Sequence, residues 1–423
     1  MTDIPFPRGV RDLMPNEALF RNTLLSDLEK VFQNFGFLSI DTPTFESLKV
    51  LKAKNAIGED MKLIFEMKDE DVGLRYDHTI SLARYVAMHG DLPMPFKRYF
   101  IGKSWRREEP QRLRYREFTQ ADVDIIGGSP AQADAEAIAV PCVFLEHINM
   151  DYKVAMNNRR FIDGLLKSAG VRQELFTDIM RIIDKLDKIG RDGVLDRLTK
   201  LGLGRDTVAK IDSMIGITGT NDAKLDFVER TIEDKEAVRE MRQMMEILEL
   251  YKLKGTFEID FSLMRGLDYY TGVVMEIKVN DKDVGYSIGG GGRYDNLIGT
   301  LGGKKLPAVG ISLGIDRILD VMKFSSSIDY TYARIFIINV KDSNYGYALQ
   351  LANALRANEI ATDINLANRN ISNQLSYANS LHFKFAAIVG DEEQKQSKVK
   401  LRNLSDGSEQ MLSLQELIDM LKA

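Results

Sequence analysis

A helical segment interrupts a β-rich chain, and this interruption sets the domain plan that the sequence predicts. Within residues 174–250, apolar side chains such as Phe176 and Ile183 recur at helical spacing, and repeated glycines keep the predicted helices short. Short β-type runs lie on both sides of this segment. We therefore predict a helical insertion at 174–250 within one domain that comprises residues 1–173 and 251–325.

The β-type runs before the insertion predict a mainly antiparallel sheet. Each run is short, and turns or hairpins join it to the next. The runs are residues 61–67, 72–76, 97–103, 117–126 and 153–156. Before them, apolar residues at three- and four-residue spacing predict a helix that ends at Gly36.

The last ninety residues show a different pattern, in which strands and helices alternate. Predicted strands lie at 334–340, 361–366, 385–390 and 399–404, and predicted helices at 345–355, 371–381 and 414–421. Such alternation is typical of a small α/β domain with parallel strands. We assign it to residues 331–423, with residues 324–329 as the linker.

Length and composition exclude several classes of protein. The 423 residues are too many for one compact core, and 44% hydrophobic with 28% charged residues is typical of a globular chain, not a disordered one. The longest nearly apolar run, residues 137–145, is far shorter than the ~20 residues that cross a bilayer. The N-terminus shows no secretory signal, so a cytoplasmic location without a membrane is expected.

Charge, histidine and cysteine content narrow the chemistry further. The net charge of −5 argues against indiscriminate nucleic-acid binding, so any RNA contact has to come from a local patch. Residues 97–116 form such a patch, with eight Lys or Arg against two Glu. The four histidines are scattered and show no zinc-ligand spacing. The single cysteine, Cys142, is predicted to be a small buried hydrophobe in a reducing compartment.

The segment 98–127 carries the clearest chemistry in the sequence. Two β-type runs are joined by an arginine-rich loop around Pro110, and arginine suits bidentate contacts to phosphate. Carboxylates of Glu108, Asp122 and Asp124 could accept hydrogen bonds from amino groups or ring nitrogens, and Phe118 offers a face for stacking a base. The alternative is an exposed hairpin with a solvated basic loop.

A run of four glycines at 289–292 is a second candidate for ligand binding. It is not a phosphate-binding loop of the Gly-Lys-Ser/Thr type, because Arg293 and Tyr294 follow it. Glycines here would let the backbone approach a ligand closely, and the alternative is a bulged strand. Nearby, Arg317 lies at the predicted start of a helix, where its alternative role is that of a surface cation.

Several motifs resemble the class II aminoacyl-tRNA synthetases, and one of them resembles the histidyl-tRNA synthetase family specifically. Trp-Arg-Arg-Glu at 105–108 with Arg-Glu-Phe at 116–118 resembles motif 2 of the class. Arg-Gly-Leu-Asp-Tyr-Tyr-Thr-Gly at 265–272 resembles the histidine-specific block of that family. Further similar segments are residues 7–13, the helix and strand that end at Pro43, residues 74–79, and the motif 3 region at 289–295 and 310–317.

The resemblance covers essentially the whole chain and implies a fold and a function. The implied fold is an α+β catalytic domain, with an antiparallel sheet flanked by helices, a helical insertion and a C-terminal α/β anticodon-binding domain. The implied function is activation of L-histidine with ATP and Mg²⁺, followed by transfer to tRNA(His), in a homodimer. Asp77 and Asp124 stand where many relatives carry Glu, and the Tyr-Asp-x-Thr form at 76–79 resembles the archaeal and eukaryotic branch.

The resemblance also implies roles for individual residues. The implied catalytic cations are Arg106, Arg265 and Arg317. The implied histidine-binding residues are Asp77, His78, Thr79, Arg106, Gln120, Asp124, Arg265, Tyr269 and Tyr270. The implied ATP-binding residues are Arg106, Glu108, Arg114, Phe118 and Arg317, and no side chain is assigned to a metal. Outside the family, Arg265 could form a structural salt bridge with Asp268, and both tyrosines could be core aromatics.

Two other functions fit parts of the sequence. A non-catalytic paralogue that serves as a regulatory subunit of ATP phosphoribosyltransferase typically lacks the histidine block and the C-terminal domain, and this chain has both. A class II synthetase for glycine, proline or threonine would lack the block at 265–272. We therefore predict a histidine-activating enzyme, with its motif 2 loop at 109–113 as the segment that departs most from the family.

Overall fold

The computed structural model describes residues 4–53, 58–111, 113–264, 269–279, 287–322, 331–367 and 369–422. These residues fall into two compact units. One unit comprises residues 1–11 and 25–323, and the other comprises residues 12–24 and 324–423. The predicted linker at 324–329 lies outside the described residues. Within the described ranges, no helix has both the length and the apolar character that crossing a membrane requires.

The larger unit is built on a mixed, mainly antiparallel sheet. Its strand order, for the part of the chain that the structure describes, is β1-β4-β5-β10-β9-β8-β6-β7, and β2 pairs with β3 in a separate ribbon. Only β1 with β4 and β6 with β7 run parallel in this described sheet. The strands are β1 Leu38–Ser39, β2 Phe45–Ser47, β3 Val72–Leu74, β4 Phe96–Trp105, β5 Glu117–Ile126, β6 Tyr152–Asn158, β7 Thr256–Ile259, β8 Val273–Val279, β9 Ser287–Arg293 and β10 Ala308–Gly314.

Helices flank this sheet, and several consecutive helices lie in the chain between β6 and β7. They are α1 Pro15–Asn34, α2 Leu48–Leu51, α3 Thr79–Met88, α4 Pro130–His147, α5 Arg159–Ser168, α6 Phe176–Ile183, α7 Leu186–Lys200, α8 Arg205–Ile215, α9 Asn221–Thr231, α10 Lys235–Leu250, α11 Leu297–Thr300 and α12 Ile315–Val321. The run from α6 to α10 occupies the stretch that the sequence predicts as helical. α1 contributes residues to both units.

The buried helix α4 supports the centre of the sheet. Pro130 occupies its first turn, where a missing N–H costs nothing, and alanines at positions such as Ala135 and Ala139 let it lie close to its neighbours. It packs against β5, β10 and α10. Cys142, within α4, is fully buried, and burial raises the pKa of its thiol. This confirms the prediction of a small buried hydrophobe.

The end of α1 shows how one glycine directs the chain into the sheet. Gly36 has φ +76°, which favours glycine. Its N–H donates to the Gln33 carbonyl, and the N–H of Phe37 donates to the Phe32 carbonyl. These two bonds are those of a Schellman motif, which satisfies the last carbonyls of a helix. The predicted end of the first helix is therefore confirmed.

One predicted strand of the larger unit is wrong. Residues 61–67 were expected to be extended, but Gly58–Leu63 is a 3₁₀ helix, and only an isolated bridge joins Glu66 to Gly73. The run Met-Lys-Leu-Ile-Phe is short and largely apolar, and a short apolar run fits either conformation, so local pattern could not separate the two.

The smaller unit contains a five-stranded sheet in the order β12-β11-β13-β14-β15 among its described residues. β11 runs parallel to β12 and β13 as predicted, whereas β14 and β15 form an antiparallel hairpin whose second strand the sequence analysis missed. The elements are β11 Ile335–Asn339, α13 Tyr345–Ala357, β12 Thr362–Ile364, α14 Ile371–Ser380, β13 Phe385–Val389, α15 Asp391–Lys395, β14 Lys398–Asn403, β15 Glu409–Ser413 and α16 Leu414–Lys422.

Candidate active site

Alternate residues of β5 line a cavity of about 600 Å³ on one face of the large sheet. Successive side chains of a strand point to opposite faces, so Phe118, Gln120, Asp122 and Asp124 share one face. All four line the cavity. β5 thus brings together Phe118, Gln120 and Asp124, for which the resemblance implies a ligand contact. It also brings Asp122 to the cavity, and for Asp122 the resemblance implies no such contact.

Glycine backbone forms the floor of the cavity, because side chains would not fit there. A Cβ atom on Gly291 of β9 would lie 2.0 Å from the carbonyl oxygen of Gly310 on β10. A Cβ atom on Gly310 would lie 1.9 Å from Oδ1 of Asp124. The glycines therefore allow β9, β10 and the Asp124 carboxylate to approach one another closely. Gly289 and Gly290 also line the cavity.

Arg106 is held between two aromatic rings at the cavity wall. Its guanidinium carbon lies 4.3 Å from the ring centre of Tyr76 and 5.0 Å from that of Phe118. Burial lowers the pKa of Arg106, but nearby groups, including the carboxyls of Asp77 and Glu108, outweigh burial and raise the net value. The site thus holds a fixed positive charge. The aromatic rings fix the plane of the guanidinium.

The arginine-rich loop is folded back on itself beside Arg106. Glu108 forms a salt bridge with Arg114, whose side chain is half exposed. The Arg116 Nε–H donates 2.8 Å to the Glu108 carbonyl, and Trp105 lies opposite Glu117 where β4 and β5 pair. Glu108 and Arg114 both line the cavity. The loop is therefore an ordered part of the site over its described residues, in contrast to the solvated alternative.

Asp77 and Thr79 reach the cavity from the start of α3. Oδ1 of Asp77 accepts the N–H of Ile80 at 3.1 Å, which ties the carboxylate to the first turn of the helix. Burial raises the pKa of Asp77, although the Ile80 hydrogen bond and the charge of Arg106 oppose it. Both residues line the cavity, as Gln120 does. These three residues are those for which the resemblance implies binding of the substrate α-amino group.

Asp124 is a buried residue that lines the acidic side of the cavity. The Tyr294 hydroxyl donates to its Oδ1 at 2.5 Å, and Nη2 of Arg98 lies 2.5 Å from its Oδ2. Burial raises the pKa of Asp124 to about 6, while the Arg98 charge and the Tyr294 hydrogen bond restrain the rise. Sequence reasoning missed Tyr294 and Arg98 as site residues. Tyr294 could have been found from its place in the Gly-Gly-Gly-Gly-Arg-Tyr segment.

Tyr269 and Tyr270 line the same cavity, close to Tyr294. The rings of Tyr269 and Tyr270 meet edge to face at 4.6 Å, and their hydroxyls lie 3.5 Å apart. Burial raises the pKa of Tyr269 well above its usual value, so it remains a neutral phenol. Each tyrosine hydroxyl could donate a hydrogen bond to a ring nitrogen or accept one from a ring N–H. Arg265, the remaining predicted cation of this block, lies outside the described residues.

His78 is not among the residues that line the cavity, although the resemblance implies that it binds histidine. Its side chain is almost completely buried. Nδ1 lies 2.8 Å from Oδ2 of Asp122, and Nε2 lies 3.1 Å from Oγ of Ser104. The ring packs edge-on against Phe100. These contacts turn the imidazole away from the cavity and behind Asp122, so the predicted contact with substrate is not what this position offers.

Arg317 connects the start of α12 to two other parts of the wall. Its Nη1–H donates 2.6 Å to the Ser287 carbonyl, and its Nε–H donates 3.3 Å to the Leu113 carbonyl. The neighbouring Asp316 accepts the Thr119 N–H at 2.7 Å and a guanidinium N–H of Arg11 at 3.0 Å. Arg11 thereby fixes the helix that carries Arg317. No role was predicted for Arg11 beyond its place in a similar segment.

Residues of the helical stretch also line the cavity, which the sequence did not predict. They are Thr177, Met180, Arg181, Asp184 and Lys185, in and just after α6. The opposite face of α6 buries Phe176, Ile179 and Ile183. The apolar spacing identified the buried face correctly, but spacing gives no information about what the polar face meets.

Comparisons with known proteins point to one family. The sequence model of the family described as "Histidyl-tRNA synthetase" matches residues 9–318, and that described as "Anticodon binding domain" matches residues 334–423. A histidine–tRNA ligase of Korarchaeum cryptofilum is 38% identical over 99% of this chain and 98% of its own length. One from Aeropyrum pernix is also 38% identical, over 97% of this chain and 96% of its own length.

A solved structure supports the same conclusion at the level of the fold. The histidyl-tRNA synthetase from Nostoc sp. PCC 7120 superimposes with a TM-score of 0.87, with 28% identity, over 100% of this chain and 99% of that one. The predicted fold class is therefore confirmed. With the family match over residues 9–318 and full-length relatives at 38% identity, the chain belongs to the histidyl-tRNA synthetase family.

Proposed function

We propose that this protein is a histidine–tRNA ligase that acts in two steps. In the first, the carboxylate of L-histidine attacks the α-phosphorus of ATP, which gives histidyl-adenylate and pyrophosphate. In the second, the histidyl group passes to the 3′-terminal adenosine of tRNA(His). The observation that carries the proposal is the convergence of Asp77, Gln120 and Asp124 with Arg106 in one cavity.

The acidic side of the cavity suits the histidine substrate. Asp77, Thr79 and Gln120 offer oxygen acceptors to the α-ammonium group. Asp124 and Tyr270 offer hydrogen bonds to the imidazole, and Tyr269 forms part of the pocket wall. A buried site that recognises a ring by hydrogen bonds rejects apolar analogues strongly, because its polar groups would be left unpaired.

The basic side of the cavity suits ATP. Arg106 and Arg317 supply charge for the phosphates, together with Arg265 if its implied role holds. Phe118 offers a stacking face to adenine, and Glu108 an acceptor for the adenine amino group. Arg114 completes this set through its salt bridge to Glu108.

Positioning and charge account for the catalysis that we propose. Transfer at phosphorus needs little covalent chemistry from the protein, since the charge that develops on phosphoryl oxygens can be stabilised by fixed cations. Arg106 is fixed between Tyr76 and Phe118, and Arg317 is fixed by two carbonyl groups. Among the described residues, no three His, Cys, Asp or Glu side chains gather to hold a metal ion. We propose that Mg²⁺ binds together with ATP as its co-substrate.

We propose that different domains serve catalysis and tRNA recognition in the second step. Residues 1–173 and 251–325 would form the catalytic domain, residues 174–250 the insertion, and residues 331–423 the anticodon-binding domain. The match of residues 334–423 to an anticodon-binding family supports the last assignment. Single-stranded anticodon bases are read by stacking and hydrogen bonds to their edges, which does not require a strongly basic domain.

The proposed enzyme is a cytoplasmic homodimer. β1 lies at one edge of the large sheet among the described strands, and edge strands are templates for pairing with another chain. Leu38 in β1 is 60% exposed and Phe45 in β2 is 51% exposed. A second copy of the chain would cover these apolar side chains. Sedimentation equilibrium of the purified protein tests this, and a monomer at micromolar concentration would contradict it.

The decisive experiment is aminoacylation with each of the twenty amino acids and tRNA(His). Histidine alone should be transferred, and histidine alone should support ATP–pyrophosphate exchange. Exchange with glycine, proline or threonine would identify another class II activity. No exchange with any amino acid would favour the regulatory paralogue of ATP phosphoribosyltransferase.

A further inference from the structure

A short segment near the N-terminus, residues 8–11, lies against the arginine-rich loop that joins β4 to β5. Its first anchor is Gly9, whose carbonyl accepts the N–H of Arg116 at 2.6 Å. Gly9 has φ +82°, and a Cβ atom there would lie 2.8 Å from side-chain atoms of both Pro110 and Arg116. A real Cβ atom would not tolerate such distances. The glycine therefore lets segment 8–11 approach both ends of the loop closely.

Arg11 is the second anchor, and it joins the loop to the helix that carries Arg317. Its guanidinium carbon lies 4.7 Å from the ring centre of Tyr115, two residues before β5 begins. Its Nη2–H donates 3.0 Å to Oδ1 of Asp316 in the first turn of α12, and its Nη1 lies 3.6 Å from Oδ1 of Asp320. Tyr115 and Asp316 both line the cavity. One side chain thus connects two parts of the cavity wall.

Asp316 connects Arg11 to the strand β5 as well. Its second oxygen, Oδ2, accepts the N–H of Thr119 at 2.7 Å. Thr119 lies between Phe118 and Gln120, and all three residues line the cavity. A carboxylate that accepts a charge-assisted bond on one oxygen and a backbone N–H on the other is held in one orientation. Arg11, Asp316 and β5 therefore form one continuous set of contacts.

The position of Arg317 depends on the same loop and the same helix. Arg317 follows Asp316 directly in α12, and its Nε–H donates 3.3 Å to the Leu113 carbonyl of the loop. The place of its guanidinium is therefore set by where α12 begins and by where the loop lies. Arg11 holds these two elements together. A cation stabilises developing charge strongly only when it is already in place, so a displaced Arg317 would lose much of its effect.

We propose that Arg11 is a positioning residue for adenylate formation, which holds Tyr115 and Asp316 together and so places Arg317 against the phosphates of ATP. The inference rests on the proposed function and adds the N-terminal segment 8–11 to the parts of the chain that the ATP side requires. Arg11 is not among the residues that line the cavity. It would act through its two partners and not by contact with ATP.

The segment contains a second arginine that serves as a matched control. Arg8 pairs with Glu109 of the same loop at 3.5 Å, but its side chain is 77% exposed, and exposed pairs contribute little. The Arg11 side chain is only 28% exposed. We expect Arg11→Ala to raise the ATP KM in pyrophosphate exchange about tenfold, as loss of one hydrogen bond between charged groups does. The histidine KM should change less than about twofold, and Arg8→Ala should change neither KM by more than that.

Gly9→Ala tests the other anchor of the segment. The added methyl group would meet Pro110 and Arg116 at 2.8 Å and push the segment away from the loop, so the ATP KM should rise as in Arg11→Ala. Gly36→Ala is the control. Gly36 also has a positive φ, +76°, but a Cβ atom there would meet no described atom within 4 Å. Both substitutions strain the backbone, and only the first disturbs the loop. Equal ATP KM values in the two variants would contradict the proposal.

A double substitution tests the route through Asp316. Asp316→Asn keeps an oxygen for the N–H of Thr119 but removes the charge that pairs with Arg11. If Arg11 acts through Asp316, this change already disconnects it, and Arg11→Ala/Asp316→Asn should have the ATP KM of Asp316→Asn alone. Multiplicative effects would show that Arg11 acts by another route and would overturn the proposal.

The two KM values separate positioning from a general loss of structure. A variant that is merely less stable supplies less active enzyme, which lowers the apparent kcat and leaves both KM values unchanged. An equal rise of the ATP KM and the histidine KM in Arg11→Ala would show distortion of the whole site and would contradict the proposal. If the wild type shows no histidine-dependent exchange, the proposed function fails. If the wild type exchanges but Arg11→Ala keeps its ATP KM, only this inference fails.

Discussion

Tyr294 donates a hydrogen bond of 2.5 Å to Oδ1 of Asp124, from the position directly after β9, a strand that is not adjacent to β5 in the sheet. The bond crosses above Gly310 of the intervening strand β10, where a Cβ atom would meet the same oxygen at 1.9 Å. One carboxylate thus depends on three strands for its position. The pH dependence of histidine binding and its sensitivity to substitution of Gly310 should follow from that dependence.

The acid limb of the pH profile should report on Asp124. Burial raises the pKa of Asp124 to about 6, so kcat/KM for histidine should fall as pH decreases through about 6, where the carboxylate gains a proton and loses the negative charge that strengthens its hydrogen bond to the imidazole. The Tyr294 hydrogen bond favours the charged form and lowers this pKa. Tyr294→Phe should therefore move the acid limb to higher pH, by up to about one unit.

The matched control for this profile is Tyr99→Phe. Tyr99 is a buried tyrosine on β4 whose hydroxyl donates to Glu29, away from the cavity. Its removal should leave the acid limb in place. The imidazole of free histidine titrates in the same range for all variants, so the difference between profiles isolates the protein. An unchanged limb in Tyr294→Phe would show that Asp124 does not control it.

Gly310→Ala should damage histidine recognition specifically. The added methyl group would overlap Oδ1 of Asp124 at 1.9 Å and force the carboxylate out of place. We expect the histidine KM to rise by at least about tenfold, since a misplaced contact of this kind costs one to a few kcal/mol. The ATP KM should change little. Gly299→Ala is the control, because its nearest neighbour would lie 3.9 Å away.

Arg106 should be needed for the rate of adenylate formation. Its guanidinium is fixed between Tyr76 and Phe118, so it can stabilise developing charge without reorganising. Arg106→Ala should lower kcat in pyrophosphate exchange about 10²–10³-fold. Arg106→Lys should recover only part of this, because lysine lacks the planar fork. Arg107→Ala, at the exposed neighbouring position, should retain the exchange rate; an equal loss there would point to loop damage.

Removal of the C-terminal segment should separate the two reaction steps. Every residue that we assign to adenylate formation precedes residue 323. A chain that ends at Ser325 should keep histidine-dependent pyrophosphate exchange and lose most tRNA charging, mainly through a higher KM for tRNA. Residues 12–24 belong to the same compact unit as residues 324–423, so sedimentation should accompany the kinetics to detect a lost dimer. Full charging by the shortened dimer would contradict the anticodon-binding assignment.

The strand β5 was predicted well from the sequence, because the two-residue repeat of a strand matches the spacing of the residues for which a ligand contact was implied. The strand Glu117–Ile126 has the predicted bounds, and its alternation brings Phe118, Gln120 and Asp124 to one face. The run 61–67 shows the opposite case. It is a short, largely apolar run like many strands, but it forms part of a 3₁₀ helix and a single bridge, since tertiary contacts decide between conformations of similar local preference.

Arg98 was missed for a different reason. Arg98 lies directly opposite Asp124 where β4 pairs with β5, and that register depends on contacts between residues 26 positions apart in the chain. A shift of one residue would send Arg98 to the other face of the sheet. The same limit applies to His78, whose neighbours Asp77 and Thr79 line the cavity while it does not. The motif identified Asp77, His78 and Thr79 together. Only the packing of the folded chain determines where the side chain of His78 lies.

The glycine floor also affects how the sheet opens. Gly289 to Gly292 are four successive glycines in a strand, and each makes the ordered strand less stable than alanine would, by roughly 0.5–1 kcal/mol. β9 lies between β8 and β10 in the middle of the sheet, where backbone amides usually exchange with solvent most slowly. Its amides should instead exchange faster than those of β5. Bound ligand should slow this exchange most in β9, because the ligand would supply the contacts that glycines, without side chains, do not make.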